Sequence, residues 1–385
     1  MVRTSGSHGY HAFVPVPIPR TVAISPETVL LLSEADDALG RLAGSGRLLP
    51  NPHLLVEAYL TREALASSRI EGTQASLTEV FQAAAGGLHG SSDVEEVANY
   101  IEALKLGLAR LDELPVCLRL IREIHGVLLR DVRGKEHQPG ELRSTQNWIG
   151  TIGDRIDTAT FVPPPPEHLD SLLADWERYA NESPSVPTLI QCALLHYQFE
   201  TIHPFLDGNG RLGRLLIVLF LVQRGRLPNP LLYVSRFFET HRSEYYERLQ
   251  MTRERGEVQQ WLQFFLTAVA EQAKDAVRRA ELLLDIRERA RGKLHGSRSR
   301  AVEVVDLLLG NPVITVQRVQ QSLTVSNPGA MNLIRQLEGL GIISHAGRAG
   351  RGGRYFWVAH EVLEALEGTE PASATPEVVT REGSS

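Results

Sequence analysis

The chain reads as mainly α-helical, with a helical core, a helical N-terminal extension, one β-hairpin inside the core and a small mixed unit near the C-terminus. Three observations predict this. Apolar residues recur at helical spacing through most of residues 26–284. Strand signals are confined to short stretches within 148–162 and 342–358. A length of 385 residues exceeds what one hydrophobic core usually organises, so more than one domain is expected.

The elements follow in order. Val14-Pro15-Val16-Pro17-Ile18-Pro19 suits an extended arm. Ser25-Pro26 caps and opens a helix, and helical period continues past Gly46 and Pro50 into Pro52 to Ile70. Val97, Ile101, Leu104, Leu108 and Leu111, then Leu118, Ile121, Ile124 and Leu128, mark two amphipathic helices separated by Pro115. Further helices are expected at 168–182, 186–199 and 211–224, and then to about Leu284. Trp148-Ile149-Gly150 and Ala159 to Val162 flank a polar turn and read as the hairpin, followed by the stiff run Pro163 to Pro166. The charged stretch from Arg287 to Arg300 suits a helix end or linker, and the polar residues from Gly368 onward suit a disordered tail. The expected divisions are 1–95, 96–285 for the core, 286–299 as linker, 300–360, and 361–385 as tail.

A net charge of −6 with 43% hydrophobic residues argues against a nucleic-acid-coating protein, while leaving room for a local basic patch. Cys117 and Cys192 make no disulfide framework and read as small buried hydrophobes. No signal peptide is evident, and the longest apolar run, Leu215 to Val222, is too short to span a bilayer. A cytoplasmic chain without membrane contact is expected.

Chemistry concentrates at His203-Pro204-Phe205-Leu206-Asp207-Gly208-Asn209-Gly210-Arg211-Leu212-Gly213-Arg214, a junction between two apolar helices. Gly208 and Gly210 let backbone N–H groups approach a ligand closely, and the following helix turns its unsatisfied amides toward the turn, which makes an anion cradle. Arg211 and Arg214 share a helix face and can grip successive phosphates. Asp207 is a hard oxygen ligand of the kind Mg²⁺ takes alongside phosphate oxygens and water. His203 is the natural acceptor for the proton of an attacking hydroxyl.

The segment resembles the motif of the Fic family, H-P-F-x-[D/E]-G-N-G-R-x-x-R, and matches it at every specified position. The resemblance implies a Fic helical core in which His203 is the base and Asp207 holds Mg²⁺. It also implies that Gly208, Asn209, Gly210, Arg211, Leu212, Gly213 and Arg214 meet the phosphates of ATP. Attack at the α-phosphate would leave AMP on a Ser, Thr or Tyr of a protein target, or of the chain itself, and release pyrophosphate. A lysine replaces the second glycine in phosphate-transferring relatives, so Gly210 favours AMP.

Upstream, Ser67-Ser68-Arg69-Ile70-Glu71-Gly72 resembles the inhibitory-helix motif of the same family, [S/T]-x-x-x-E-[G/N]. The resemblance implies that Glu71 pairs with Arg214 and denies it to the γ-phosphate, with Ser67 on the same helix face. The hairpin corresponds to the family's flap, which aligns a target by main-chain pairing. Tyr245 and Tyr246 are read either as lining the adenine side or as helix packing.

Residues 300–358 run helix, helix, turn, helix, then two strand-like segments, Ile342 to His345 and Arg354 to Val358. That order looks like a winged helix-turn-helix. Arg335, Arg348, Arg351 and Arg354 suit phosphate contacts, but Glu338 shares the third helix, so DNA binding and a protein-docking or homodimer role both stay open. Also open are a nucleotide-sensing DNA-binding regulator, removal of AMP with help from Glu71, and transfer of UMP.

Overall fold

The structure, a computed structural model of the chain, describes residues 2–3, 10–48, 53–86, 91–132, 138–150, 155–183, 185–295, 299–349 and 354–368. They fall into two compact units, within 1–281 and within 282–385.

The first unit opens with β1 (Val2–Arg3) paired antiparallel to β2 (His11–Ala12). The expected arm follows as extended chain to Ser25. Its backbone is tied down by Phe13 N–H to the Val162 carbonyl at 2.9 Å, and by Ile18 N–H to Asp175 Oδ2 at 2.9 Å. The helices of this unit are α1 (Pro26–Leu48), α2 (His53–Ile70), α3 (Leu77–Gly86), α4 (Ser92–Arg110), α5 (Leu118–Leu128), α6 (Leu169–Asn181), α7 (Thr188–Ile202), α8 (Asn209–Gln223), α9 (Ser235–Thr240), α10 (Arg242–Arg255) and α11 (Val258–Lys293). The last of these continues into the second unit.

Helices α7 and α8 carry apolar residues all round and are almost wholly buried, which places them at the centre of the bundle. Around this hairpin pack α2, α4, α5 and α6. Trp261 of α11 donates to the Ala193 carbonyl at 3.0 Å, inside an aromatic cluster with His196, Phe238, Tyr245 and Phe265. No helix among the described residues is long and apolar enough to cross a membrane.

Helix α2 is held from three sides. Tyr59 donates to the Ala276 carbonyl of α11 at 2.7 Å. The buried Glu63 carboxylate accepts from Tyr100 of α4 at 3.2 Å, from Ser235 N–H at the start of α9 at 3.1 Å, and from the Ser235 hydroxyl. Arg62 stacks over Tyr233, 4.1 Å from the ring centre. These contacts fix the end of α2, where Ser67 sits and after which Glu71 follows.

Several expectations need correction. α7 runs on to Ile202 and α8 begins at Asn209 rather than near Arg211, because the Asn209 side chain bridges the Phe205 main chain and starts the helix early. The stretch 286–299 is not wholly linker: it is helical through Lys293, with Arg287 paired to Asp306 at 2.6 Å. Of the hairpin, an isolated antiparallel bridge between Ile149 and Phe161 is described, and residues 151–154 lie outside the described residues. Cys117 is only half-buried, at the N-terminal end of α5, while Cys192 is buried as expected.

The second unit holds α12 (Ala301–Gly310), β3 (Val313–Ile314), α13 (Val316–Leu323), α14 (Asn327–Gly339), β4 (Ser344–Ala349), β5 (Arg354–Val358) and α15 (His360–Glu367). The three strands form an antiparallel sheet in the order β3-β5-β4. Thr315 and Ser326 cap α13 and α14 with their hydroxyls. The stretch expected as tail begins as α15, and residues 369–385 lie outside the described residues, as does Arg351.

Candidate active site

The junction between α7 and α8 is built by its own residues. His203 ends α7 in a left-handed conformation, φ 51° and ψ 60°. Gly208 caps α8 at φ 76°, a value that suits glycine. Between them Phe205 N–H donates to Asn209 Oδ1 at 2.9 Å, and Asn209 Nδ2 donates to the Phe205 carbonyl at 2.8 Å. Asn209 therefore braces the loop with both ends of its amide.

Asp207 Oδ1 accepts from Gly208 N–H at 2.6 Å. Its Oδ2 faces Arg211 Nη2 at 3.7 Å, and the side chain keeps 37% of its surface exposed. The buried Arg211 lies equally close to Glu96 of α4, 3.7 Å from Oε2, and its Nε and Nη1 have no hydrogen-bond partner. Such orphaned guanidinium donors fit an anion. The amides of Asn209, Gly210 and Arg211 precede the first intrahelical bond of α8, from Leu212 N–H to the Gly208 carbonyl at 3.0 Å, and so complete the cradle.

Not every expected residue reaches it. The Leu212 side chain is core and its amide is spent within the helix. Gly213 faces inward: a Cβ there would lie 2.3 Å from Glu200 Oε1, and its carbonyl meets His196 Nδ1 at 3.0 Å. Tyr245 is buried, with its hydroxyl on His196 Nε2 at 2.8 Å, whereas Tyr246 is exposed.

Arg214 is 1% exposed and fully engaged with the end of α2. Its Nε donates to Ser67 Oγ at 2.9 Å, and Nη2 donates to the Ser67 carbonyl at 2.9 Å and to Glu71 Oε1 at 2.7 Å. Glu71 lies just past α2 and keeps 34% of its side chain exposed. Partial burial alone would raise its pKa, but Arg214, with help from Arg211, holds the carboxyl below its ordinary range. Burial would lower Arg214, but Glu71 together with Tyr245, Tyr246 and Glu200 more than offsets that and raises it. Gly210 makes room for the contact, since a Cβ there would stand 2.3 Å from Glu71 Oε1.

His203 has a buried Nδ1 without a hydrogen-bond partner. Desolvation, then Arg253 and Arg143, push its pKa down to about 3. The imidazole is thus neutral at pH 7 and can take up a proton.

Three neighbours carry no local sequence signal. His125 of α5 stacks on Phe205 at 3.8 Å between ring centres; it accepts from Gly140 N–H at Nδ1, 2.8 Å, which leaves Nε2 to donate to the Asp207 carbonyl at 3.0 Å. Arg143 reaches the His203 carbonyl at 2.9 Å. Glu200 is buried beside Gly213, and desolvation raises its pKa to about 7.

Glu200 makes stability depend on pH. Its ordinary pKa is 4.5, so between there and about 7 the unfolded chain releases the proton while the folded chain keeps it. Stability therefore falls as pH rises through that window and stays lower above it. Glu200→Gln should lose less stability between pH 5 and pH 8 than the parent, by up to about 3 kcal/mol, read from urea unfolding at both values. Equal losses in the two proteins would contradict this account.

With this geometry in place, residues 29–109 match the Fic/DOC family N-terminal model and residues 115–221 the Fic/DOC family model. The chain is 31% identical over 260 residues to the protein adenylyltransferase Fic of Nematostella vectensis, covering 64% of this chain and 55% of that protein. It is 33% identical over 156 residues to the protein of the same name from Drosophila grimshawi, covering 40% and 29%. The chain thus spans about half or less of the length of these relatives. A crystal structure of a Fic family protein from Desulfovibrio desulfuricans G20 shares the fold, with a TM-score of 0.58 at 21% identity, covering 88% of this chain and 97% of that one.

Proposed function

The chain belongs to the Fic/DOC family, and from that premise we propose that it is a protein adenylyltransferase, moving AMP from ATP to a hydroxyl side chain of a protein and held back by Glu71. The observation that carries this reading is the gathering of His203, Asp207, Arg211 and Arg214 around the N-terminus of α8, with Glu71 already on Arg214.

The target hydroxyl gives its proton to His203 while its oxygen attacks the α-phosphorus of ATP. The new bond forms between that oxygen and phosphorus; the bond to the bridging oxygen breaks, and pyrophosphate leaves with the electron pair. Arg211 and the free amides at the start of α8 take the phosphate charge, and Arg214 joins them once Glu71 withdraws. Asp207 fits a Mg²⁺ site of the kind that draws its other ligands from phosphate and water, since no cluster of three or more protein ligands occurs among the described residues. The ion would neutralise charge on the leaving phosphates.

The test is transfer of label from each of four α-labelled nucleotides to candidate proteins and to the chain itself, using Glu71→Gly. Label from ATP alone supports AMP transfer, and label from none refutes the reading. Release of AMP from a labelled target, lost in Glu71→Gly, would assign Glu71 to the reverse reaction instead.

Gly210 supplies a further check on the brake. A methyl at Gly210 would collide with Glu71 Oε1, the movable end of a side chain, and crowd Arg214 Nη1 at 3.0 Å. Gly210→Ala should therefore cost transfer several-fold less in the parent, where it also dislodges Glu71, than in Glu71→Gly. Equal costs in the two backgrounds would count against the brake.

For the second unit, we read 300–360 as a winged helix-turn-helix, with Arg335 on α14 and Arg348 and Arg354 on the strands all exposed. A DNA-binding regulator is favoured over the transferase if Glu71→Gly shifts DNA in a salt-dependent way and transfers no label.

A further inference from the structure

His203 stands in a left-handed backbone conformation that is unfavourable for a non-glycine residue, so the surrounding fold must impose it. Arg143 does the imposing. It lies in the chain between α5 and the Ile149–Phe161 bridge and is 2% exposed. Its Nε donates to the His203 carbonyl at 2.9 Å, and its Nη2 to the carbonyls of Ile202 at 3.4 Å and Pro164 at 2.5 Å. Nη1 reaches the Thr145 carbonyl at 3.4 Å, and Arg143 N–H donates to the Pro204 carbonyl at 3.0 Å. Three consecutive residues, Ile202, His203 and Pro204, are thus bonded to one residue.

Among the described residues no carboxylate lies within ion-pair distance of this guanidinium; burial lowers its pKa to about 10, against smaller opposing effects of Tyr10 and Glu167. A buried cation satisfied only by main-chain oxygens is an expensive choice unless its shape is needed. Arginine alone presents diverging donors in a rigid plane; lysine supplies the charge without the fork. We propose that Arg143 is a positioning residue, which locks the main chain of Ile202 to Pro204 and so sets where the His203 imidazole stands against the attacking hydroxyl. This rests on the transferase reading, in which His203 is the base.

The groups expected to hold ATP phosphates, Arg211, Arg214 and the first amides of α8, lie outside this clamp. Loss of the clamp should misplace the base and leave nucleotide binding alone. In the Glu71→Gly background, Arg143→Lys should lower kcat about tenfold or more, with KM for ATP changed less than about twofold. Arg143→Met should do the same and add a second signature. His203 is faced by Arg143, by Arg253 of α10 and by Glu71, so removing the Arg143 charge raises its pKa. The acid limb of the kcat/KM profile should then move to higher pH in Arg143→Met relative to Arg143→Lys.

Unfolding curves and ATP affinity are measured on each variant. Unchanged kcat in Arg143→Lys overturns the proposal. So does a loss in which kcat, ATP affinity and thermal stability fall together, because that marks general support of the fold. If Glu71→Gly itself transfers nothing, the transferase reading fails before Arg143 is tested, and the two failures are told apart.

Discussion

Replacing His203 by Ala in the Glu71→Gly protein is expected to lower transfer of α-labelled AMP by about a hundredfold to ten-thousandfold, the usual contribution of a positioned general base. ATP affinity should stay within a few-fold, because the proposed phosphate cradle is made by α8 and not by the imidazole. The parent pH profile adds to this. With a His203 pKa of about 3, the free protein keeps its base neutral from pH 5 to 8, so kcat/KM should show no His203 limb in that range. Full activity of the alanine variant would remove His203 from the mechanism and leave proton uptake to another group.

Releasing Glu71 is expected to have the opposite sign. The Arg214–Glu71 contact at 2.7 Å is a charge-assisted hydrogen bond, of a kind contributing about 1.5–3 kcal/mol. If that energy is what ATP must overcome to reach Arg214, Glu71→Gly should raise transfer at limiting ATP by about ten- to a hundredfold. Glu71→Gln should fall between, since its amide oxygen still accepts from Nη2 without the charge. Mild acid should not mimic either change: the carboxyl is held below its ordinary range, so the pair persists until pH falls through that lowered value. A parent protein as active as both variants would show that Glu71 does not restrain the site.

What the sequence shows most clearly is local. The helical period, the Ser25 cap and the break at Pro115 each act within a few residues, and α1, α4 and α5 lie where those signals put them. The crowding of His203 to Arg214 at one junction is legible for the same reason. Where the reading slips, a partner distant in sequence or a side chain turned onto the main chain decides the outcome. Asn209 starts α8 early by bridging Phe205, and α7 runs on to Ile202, where His203 N–H closes its last turn on the Phe199 carbonyl at 2.9 Å. α3 opens on a capping box, with Ser76 N–H on Glu79 Oε2 at 2.8 Å and Glu79 N–H on Ser76 Oγ at 3.2 Å, a short signal with little apolar period beside it.

The site residues divide likewise. Leu212 and Gly213 sit inside a phosphate-rich motif but face the core, because a helix turns each successive residue by a fixed angle whatever the motif does. His125 and Arg143 act on the loop across 82 and 60 residues of chain. Nothing near either one in sequence announces that. Arg214 is the opposite case: its meeting with Ser67 and Glu71 spans 147 and 143 residues, and only a second motif elsewhere in the chain points to it.

On the proposed reading, the anchoring of α2 decides what kind of restraint Glu71 would exert. With Tyr59, Arg62 and Glu63 all engaged, taking Glu71 off Arg214 needs no departure of the helix, only rotation about the bonds of one side chain just past its end, while Ser67 keeps its own bonds to Arg214. Such rotations at a partly exposed site complete in nanoseconds, far faster than a catalytic cycle. On that reading the chain would never be simply on or off. A preference of about 1.5–3 kcal/mol would leave roughly one molecule in ten to one in a hundred with Arg214 free of Glu71 at any instant. Basal output would become a standing fraction, and any ligand that favours the withdrawn rotamer would set that fraction by its differential affinity alone.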